Sequence, residues 1–342
     1  MKKGMLLILC TIITHFIQAQ ELESILLAAK SDANKLTESY INPAIKGLIY
    51  GMNSGWYHTA KVHKKLGFDL SMGLNASIVP QKDEIINFAR LGLTNISSSE
   101  TTSPTVIASR NGATMFVNTT IETPFGKQDV TTSFKMPSGI SKDLPLSAIP
   151  TPAVQLNLGL PYKLDVMLRF VPEVENDDVK GNLLGLGLKK ELTSLLGSLD
   201  KLPLHVSLLA AYTSMEVNYK MNGVNIPGQN QRAAFQLDAF TAQAIASLNF
   251  PIINVYGGFG YTGGQATLNM LGTYNLEYNT SLPSPNNKVT TTITDPINLD
   301  FSTSGFKATI GARLSLGFFN IFGNYTIQEY STISTGIAFS FR

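Results

Sequence analysis

From Leu66 to Ile78 every second residue is apolar (Leu66, Phe68, Leu70, Met72, Leu74, Ala76, Ile78), and Gly67, Asp69, Ser71, Gly73, Asn75 and Ser77 lie between them. Such period-two alternation marks a strand with one apolar and one polar face. The same pattern returns over 154–160, 164–170, 184–188, 204–212, 240–248, 253–261, 306–314, 321–327 and 333–341. About ten segments of roughly the 9 to 11 residues that a tilted membrane strand needs therefore recur along the chain. A strand with one face in hydrocarbon must close into a barrel, because unpaired backbone groups cannot face lipid. The expectation is an all-β, antiparallel transmembrane β-barrel. A secreted β-sandwich would also alternate, but without the runs' length or the asymmetry of their connections. Turns near Pro161, Pro251 and Gly317 are short, whereas 81–150, 214–234 and 265–304 are long and polar, as extracellular loops are. A further hairpin around Thr105–Val117 would raise the strand number to twelve or fourteen.

Ahead of the strands the period is that of a helix. Leu22, Ile25, Leu26, Ala29, Ala33, Leu36 and Tyr40 share one stripe, and the reading ends the helix at Pro43, giving an N-terminal helical plug segment over 20–60. The first residues read as a secretory leader, 1–19, with Lys2 and Lys3 before an apolar run and Ala19 at the cleavage position; a short anchoring helix is the alternative.

Composition sharpens this picture. Hydrophobic residues make up 44% of the 342 and charged residues only 15%, yet no stretch after the leader approaches a membrane helix in length. The lone Cys10 lies within the leader, which removes disulfides, thiol catalysis and thiolate metal sites from the mature chain. Loss of Lys2 and Lys3 takes Lys+Arg from 26 to 24, equal to the 24 Asp+Glu, so nothing calls for nucleic acid.

The stretches "DANKLTESYINPAIKGLIYGMNSGWYHTAKVHKKLGFDLSM", "TPAVQLNLGLPYKLDVMLRFVPEV" and "GLGLKKELTSLLGSLDKLPLHVSLLAAYT" resemble a family of uncharacterised outer-membrane proteins of Bacteroidetes. The resemblance implies an outer-membrane barrel and no particular activity. More remotely, a helical segment carrying Asn42, Pro43 and Ala44 before a barrel is similar to the long-chain fatty acid transporters of the outer membrane.

Candidate chemistry is sparse. His205 and Ser207 have the His-x-Ser spacing of an outer-membrane phospholipase, but alternation turns both into the lumen, and no orienting acid is evident from spacing. His58 and His63 are poorly spaced for a metal and, beside Trp56 and Tyr57, read as interfacial anchors. Neither metal nor cofactor is expected, and no enzymatic role. The lumen is expected to carry Asp69, Asn75, Asp165, Arg169, Lys307 and Arg313, the two acids being offset by the three cations. A barrel of this size is too narrow for an open pore. The leading expectation is a gated, plugged conduit for small apolar ligands. A structural or surface-binding protein is the alternative, and a lipid-acting enzyme stands third. Expected partners are outer-membrane lipid and lipopolysaccharide, and the barrel assembly machinery through the C-terminal strand ending at Phe341.

Overall fold

The alternating segments pair into one closed ring. In the computed structural model, which describes residues 30–123, 126–140, 148–175, 178–195, 197, 202–221, 226–279 and 288–341, ten antiparallel strands form the wall. They are β1 (Phe68–Ile78), β2 (Ala148–Leu160), β3 (Leu164–Glu175), β4 (Val179–Glu191), β5 (Leu204–Lys220), β6 (Gly228–Asn249), β7 (Ile253–Asn279), β8 (Ile297–Leu316), β9 (Phe319–Ile327) and β10 (Thr332–Phe341). Each pairs with its sequence neighbour, and β1 pairs with β10, Phe68 opposite Phe341, so the ring itself has no open edge; a short eleventh strand, Lys288–Thr294, pairs among the described residues only with the tip of β7 above the ring. The ring closes at ten. The hairpin in the β1–β2 connection, Thr114–Thr123 with Gly126–Lys135, belongs to a separate three-stranded sheet and not to the wall.

Leu70, Leu156, Leu186, Leu208, Phe259, Phe306 and Ile310 point outward, whereas Asp69, Asn157, Thr213, Thr262 and Lys307 are buried inside. Higher up, the stretches expected as loops at 214–234 and 265–304 are largely strand. β5 runs on to Lys220 and β6 starts at Gly228, while β7 extends to Asn279 and β8 starts at Ile297. Their polar composition comes from a change of phase. Along β5, Leu208 and Tyr212 face out while Thr213 faces in; beyond this, Ser214 and Glu216 lie on the outer face, and Met215 and Val217 are buried. The same exchange falls between Asp238 and Phe240 on β6 and between Ser304 and Phe306 on β8. Below it the wall faces oil and encloses polar groups; above it the wall faces water and encloses an apolar core.

That core receives the plug. Among the described residues one α-helix, α1 (Lys30–Met52), descends inside the barrel from the long-loop end. Pro43 lies within α1 and does not end it. An interior proline typically costs about 3 kcal/mol or more. Here Leu36, Tyr40, Ile41, Ala44, Ile45, Leu48 and Ile49, on both sides of it, are buried, and the Tyr40 carbonyl accepts from Val106 N at 3.0 Å. Packing around the break outweighs the lost backbone bond. The β1–β2 connection folds over α1 as a lid, contributing Ile86, Ile96, Val106, Ile107, Met115 and Phe134 to the same core. Buried Asp32 fastens lid to helix, accepting from Thr94 N at 2.8 Å and Asn95 N at 2.7 Å. Leu22, Ile25, Leu26 and Ala29 lie outside the described residues.

Candidate functional site

After Met52 the chain continues down the lumen as an extended strap, residues 53–67, and turns into β1 at the short-turn end. Wall glycines let it approach. A Cβ on Gly185 or Gly187 would come 3.1 Å from the Trp56 ring, and one on Gly258 2.5 Å from Tyr57 Oη. Trp56 and Tyr57 are therefore buried in a second core with Met167, Leu209, Ile245 and Tyr256, not at the headgroups. The wall needs small residues at these sites because the strap's rings occupy the space.

The helix end is held by cations. The guanidinium of Arg169, on β3, donates to Met52 O and Ser54 O, both at 2.9 Å, and to Gln155 Oε1 at 2.8 Å, while its Cζ lies 3.9 Å over the Trp56 ring. Lys307 Nζ, on β8, donates to Asn53 O at 2.7 Å. Gln155 Nε2 donates to Trp56 O at 3.0 Å. The last carbonyls of a helix are unpaired and carry the negative end of its dipole, so buried Arg and Lys are matched to them. Arg169 and Lys307 thus offset α1 and the strap, not Asp69 and Asp165 as charge counting suggested.

The acids find other partners lower down. Asp69 Oδ2 lies 3.0 Å from His63 Nε2 and 3.4 Å from His58 Nε2, and Asp69 Oδ1 accepts from Asn157 Nδ2 at 2.6 Å. Asp165 Oδ2 lies 3.1 Å from His63 Nδ1 and 2.9 Å from Lys189 Nζ. Arg313 Nη1 meets His58 Nδ1 at 3.1 Å. Lys189 donates in addition to Lys61 O at 3.1 Å, and Glu191 Oε2 accepts from Val62 N at 3.1 Å. Of the strap histidines, both read from sequence as interfacial, His63 links the two lumen acids, and His58 links Asp69 to Arg313. Lys189 and Glu191, at the end of β4, carried no signal beyond their inward parity. Asn75 Nδ2 donates to Thr151 O, and a Cβ on Gly55, which has φ +68°, would come 2.4 Å from Asn75 Oδ1.

Of the described plug residues, Ala33, Leu36, Tyr40, Pro43 and Ala44 are buried, and Asn42 is half-buried. The His205–Ser207 pair does face inward: Ser207 Oγ donates to Ala60 O at 2.6 Å, and His205 Nδ1 lies 3.0 Å from Glu191. Both thereby support the strap. Among the described residues no group of His, Cys, Asp and Glu is arranged to hold a metal ion.

A closed ten-stranded barrel with an apolar outer belt, filled by its own chain, defines the class: a transmembrane β-barrel with an internal plug. The chain belongs to a family of unknown function, DUF6588, which it matches over residues 1–341. No curated protein matches its sequence. Among solved structures it is similar to the attachment invasion locus protein Ail of Yersinia pestis, at 9% identity and a TM-score of 0.25, covering 81% of this chain and 100% of that one. The translocator domain of the autotransporter NalP from Neisseria meningitidis gives 10% identity and a TM-score of 0.31, covering 92% and 100%. The outer membrane protease OmpT of Escherichia coli gives 8% and 0.30, covering 81% and 97%. At these scores the fold rests on the hydrogen-bonded ring itself.

Proposed function

We propose that this protein is a permanently plugged barrel of a bacterial outer membrane, with its long loops at the cell surface, and that it acts through the folded dome those loops and upper strands build, as a surface-binding or structural protein. The observation that carries this reading is the way the lumen holds residues 52–62. Arg169, Lys307, Gln155, Lys189 and Ser207 donate to their backbone carbonyls, and Glu191 accepts from Val62 N. Releasing the strap would leave several buried donors and acceptors unpaired, at about 1 to 3 kcal/mol each. A loosely seated hatch would lack such a set. The test is electrical: the purified full chain in planar bilayers is expected to show no discrete conductance steps, and regular steps from the unmodified protein would overturn the reading.

A conduit for small apolar molecules is the second reading. Its support is the apolar inner face of the upper wall, where Phe235, Leu237, Leu299 and Phe301 meet α1. Beneath them the same route passes Asp69, Asp165, Lys189 and Arg313, which suits polar cargo better. Uptake of labelled hydrophobes that falls on deletion of the gene and returns with the intact gene would favour this second reading.

A further inference from the structure

The outer wall changes from apolar to polar at one level on β5 to β8, and at that level it is not flat. In register across the four strands stand Tyr212, Phe240, Gly263 and Ser304; the row below is Ala210, Ala242, Tyr261 and Phe306, and the row above is Ser214, Asp238, Gln265 and Ser302. Gly263 carries no side chain in the middle row, and the Phe240 ring leans over it: a Cβ there would lie 3.0 Å from that ring and 3.0 Å from Ser304 Cβ. Beside the ring, between Tyr212, Asp238, Tyr261, Gln265 and Ser304, opens a groove of about 610 Å³. Its rim is fixed by two short hydrogen bonds, Tyr212 Oη to Asp238 Oδ1 at 2.6 Å and Tyr261 Oη to Ser304 Oγ at 2.7 Å. A second groove of about 390 Å³ continues it upward along Asp238, Gln265, Thr267, Asp300 and Ser302.

Three properties select an occupant. The lining has the exposed aromatics Tyr212, Phe240 and Tyr261 on the oil side and a carboxylate, an amide and hydroxyls on the water side. That is the chemistry that recognises a sugar, with apolar C–H faces against rings and hydroxyls against Asp and Gln. Among the described residues no lysine or arginine lines either groove, and Asp238 and Asp300 lie along them, so a phosphate would be repelled. Directly beneath, Phe259 and Phe306 stack at 5.8 Å and Ile310 stands outward, an apolar track for acyl chains leading down from the groove.

We infer that this groove binds the uncharged sugar headgroup of an outer-leaflet glycolipid, its acyl chains lying on the belt of β7 and β8. The inference uses the membrane setting of the barrel but not the closed state of its lumen, so conductance results leave it untouched.

The test is native mass spectrometry of the full chain in detergent, with monoglucosyl diacylglycerol and phosphatidylglycerol of matched chains as probes. The glycolipid is expected to bind at least tenfold more tightly. Gly263→Leu, which pushes the Phe240 ring out of its place in the groove wall, and Asp238→Asn, which keeps the volume, should each weaken glycolipid binding about tenfold. Asp238→Asn should also narrow the discrimination against phosphatidylglycerol. Heat-modifiable mobility on gels reports that each variant is folded, and Asp238→Asn carries the test if Gly263→Leu does not fold. Equal binding of the two lipids would overturn the inference, as would unchanged binding by folded variants. Methyl glucoside binding as tightly as the glycolipid would also overturn it, pointing to a soluble saccharide.

Discussion

Arg169 and Lys307 are buried cations with no carboxylate among the described residues within ion-pair reach, and each is matched to peptide carbonyls at the end of α1. The negative pole of a helix thus does work that ion pairs do in the lower lumen. Arg169→Met removes three hydrogen bonds and a stacked cation, and leaves Ser54 O and Gln155 Oε1 without that donor, at about 1 to 3 kcal/mol for each unsatisfied group, while Met52 O keeps the Trp56 indole N–H at 3.2 Å. The unfolding temperature in heat-modification gels should fall clearly. Lys46→Met, which breaks the partly exposed 3.3 Å pair with Glu329, should change it little, since such pairs contribute about 1 kcal/mol or less. Equal shifts would mean that the helix end is not a principal anchor. Glu329 itself, in the β9–β10 turn at the loop end, makes a pH prediction. Burial would raise its pKa, but the Tyr50 hydroxyl, at 2.9 Å, and the Lys46 ammonium outweigh this and hold it below the ordinary glutamate value. A depressed carboxyl contributes stability that is present above its unfolded pKa and is lost as pH falls through the folded one. Protection of the turn in hydrogen exchange should therefore drop on acidification below about pH 4.5, near the ordinary glutamate pKa. Glu329→Gln should flatten that dependence.

At the scale of elements, α1 fits against the wall because two glycines face β2. A Cβ on Gly47 would come 2.6 Å from Ile149 Cγ1, and one on Gly51 2.3 Å from Thr151 Oγ1. Gly51→Leu should force the helix off the wall, with an overpacking cost of roughly 1 to 3 kcal/mol or more, seen as faster proteolysis of the lid. The direction of α1 makes a topological prediction. Lys30 lies at the loop end, its Nζ on Asp295 O, and Met52 lies deeper, so α1 runs from the loop side inward. A cysteine at exposed Ser31 should label on intact cells, and one at Tyr162, 89% exposed in a short turn, should not. The reverse result would invert the barrel. The lipid-facing lengths of the ten strands and the first half of α1 were legible in the sequence, because oil on one side imposes strict period-two alternation and an apolar core imposes a helical stripe; the upper lengths of β5 to β8 read as loops because their outward face turns polar. The second half of α1 and the strap were not. Pro43 reads as a stop unless the packing on both sides is known, and Trp56 with two histidines looks interfacial unless the glycines of β4 are known to make room for it. Inward parity found Asp69, Asp165, Arg169, Lys307 and Arg313, but partnership depends on height along the lumen, which alternation does not encode.

For the molecule as a whole, the exchange of phase along β5 to β8 sets where the membrane ends. On β8 the outward apolar run extends from Phe306 to Leu316, while Asn298, Asp300, Ser302 and Ser304 are outward and polar. Ten steps of about 3.4 Å, tilted by about 45° from the barrel axis, give roughly 24 Å, close to the ~25 Å apolar band of outer-membrane barrels. Above that level the barrel becomes a water-soluble fold in its own right, with its hydrophobic core inside, and one continuous strand serves both solvents. Two outward arginines on that strand separate the regimes. Ile310→Arg, 64% exposed and near the middle of the run, should destabilise the barrel by about 2 to 4 kcal/mol in bilayers. Ser302→Arg, eight residues nearer the loop end on the same face, should cost no more than about 1 kcal/mol. Urea unfolding in vesicles, followed by heat-modifiable mobility, measures both. Comparable destabilisation at the two sites would place the hydrocarbon boundary above Ser302 and remove the basis for a soluble upper storey. A large effect at Ile310 alone places the boundary where the outward face changes from Phe306 to Ser304, with the dome wholly in water.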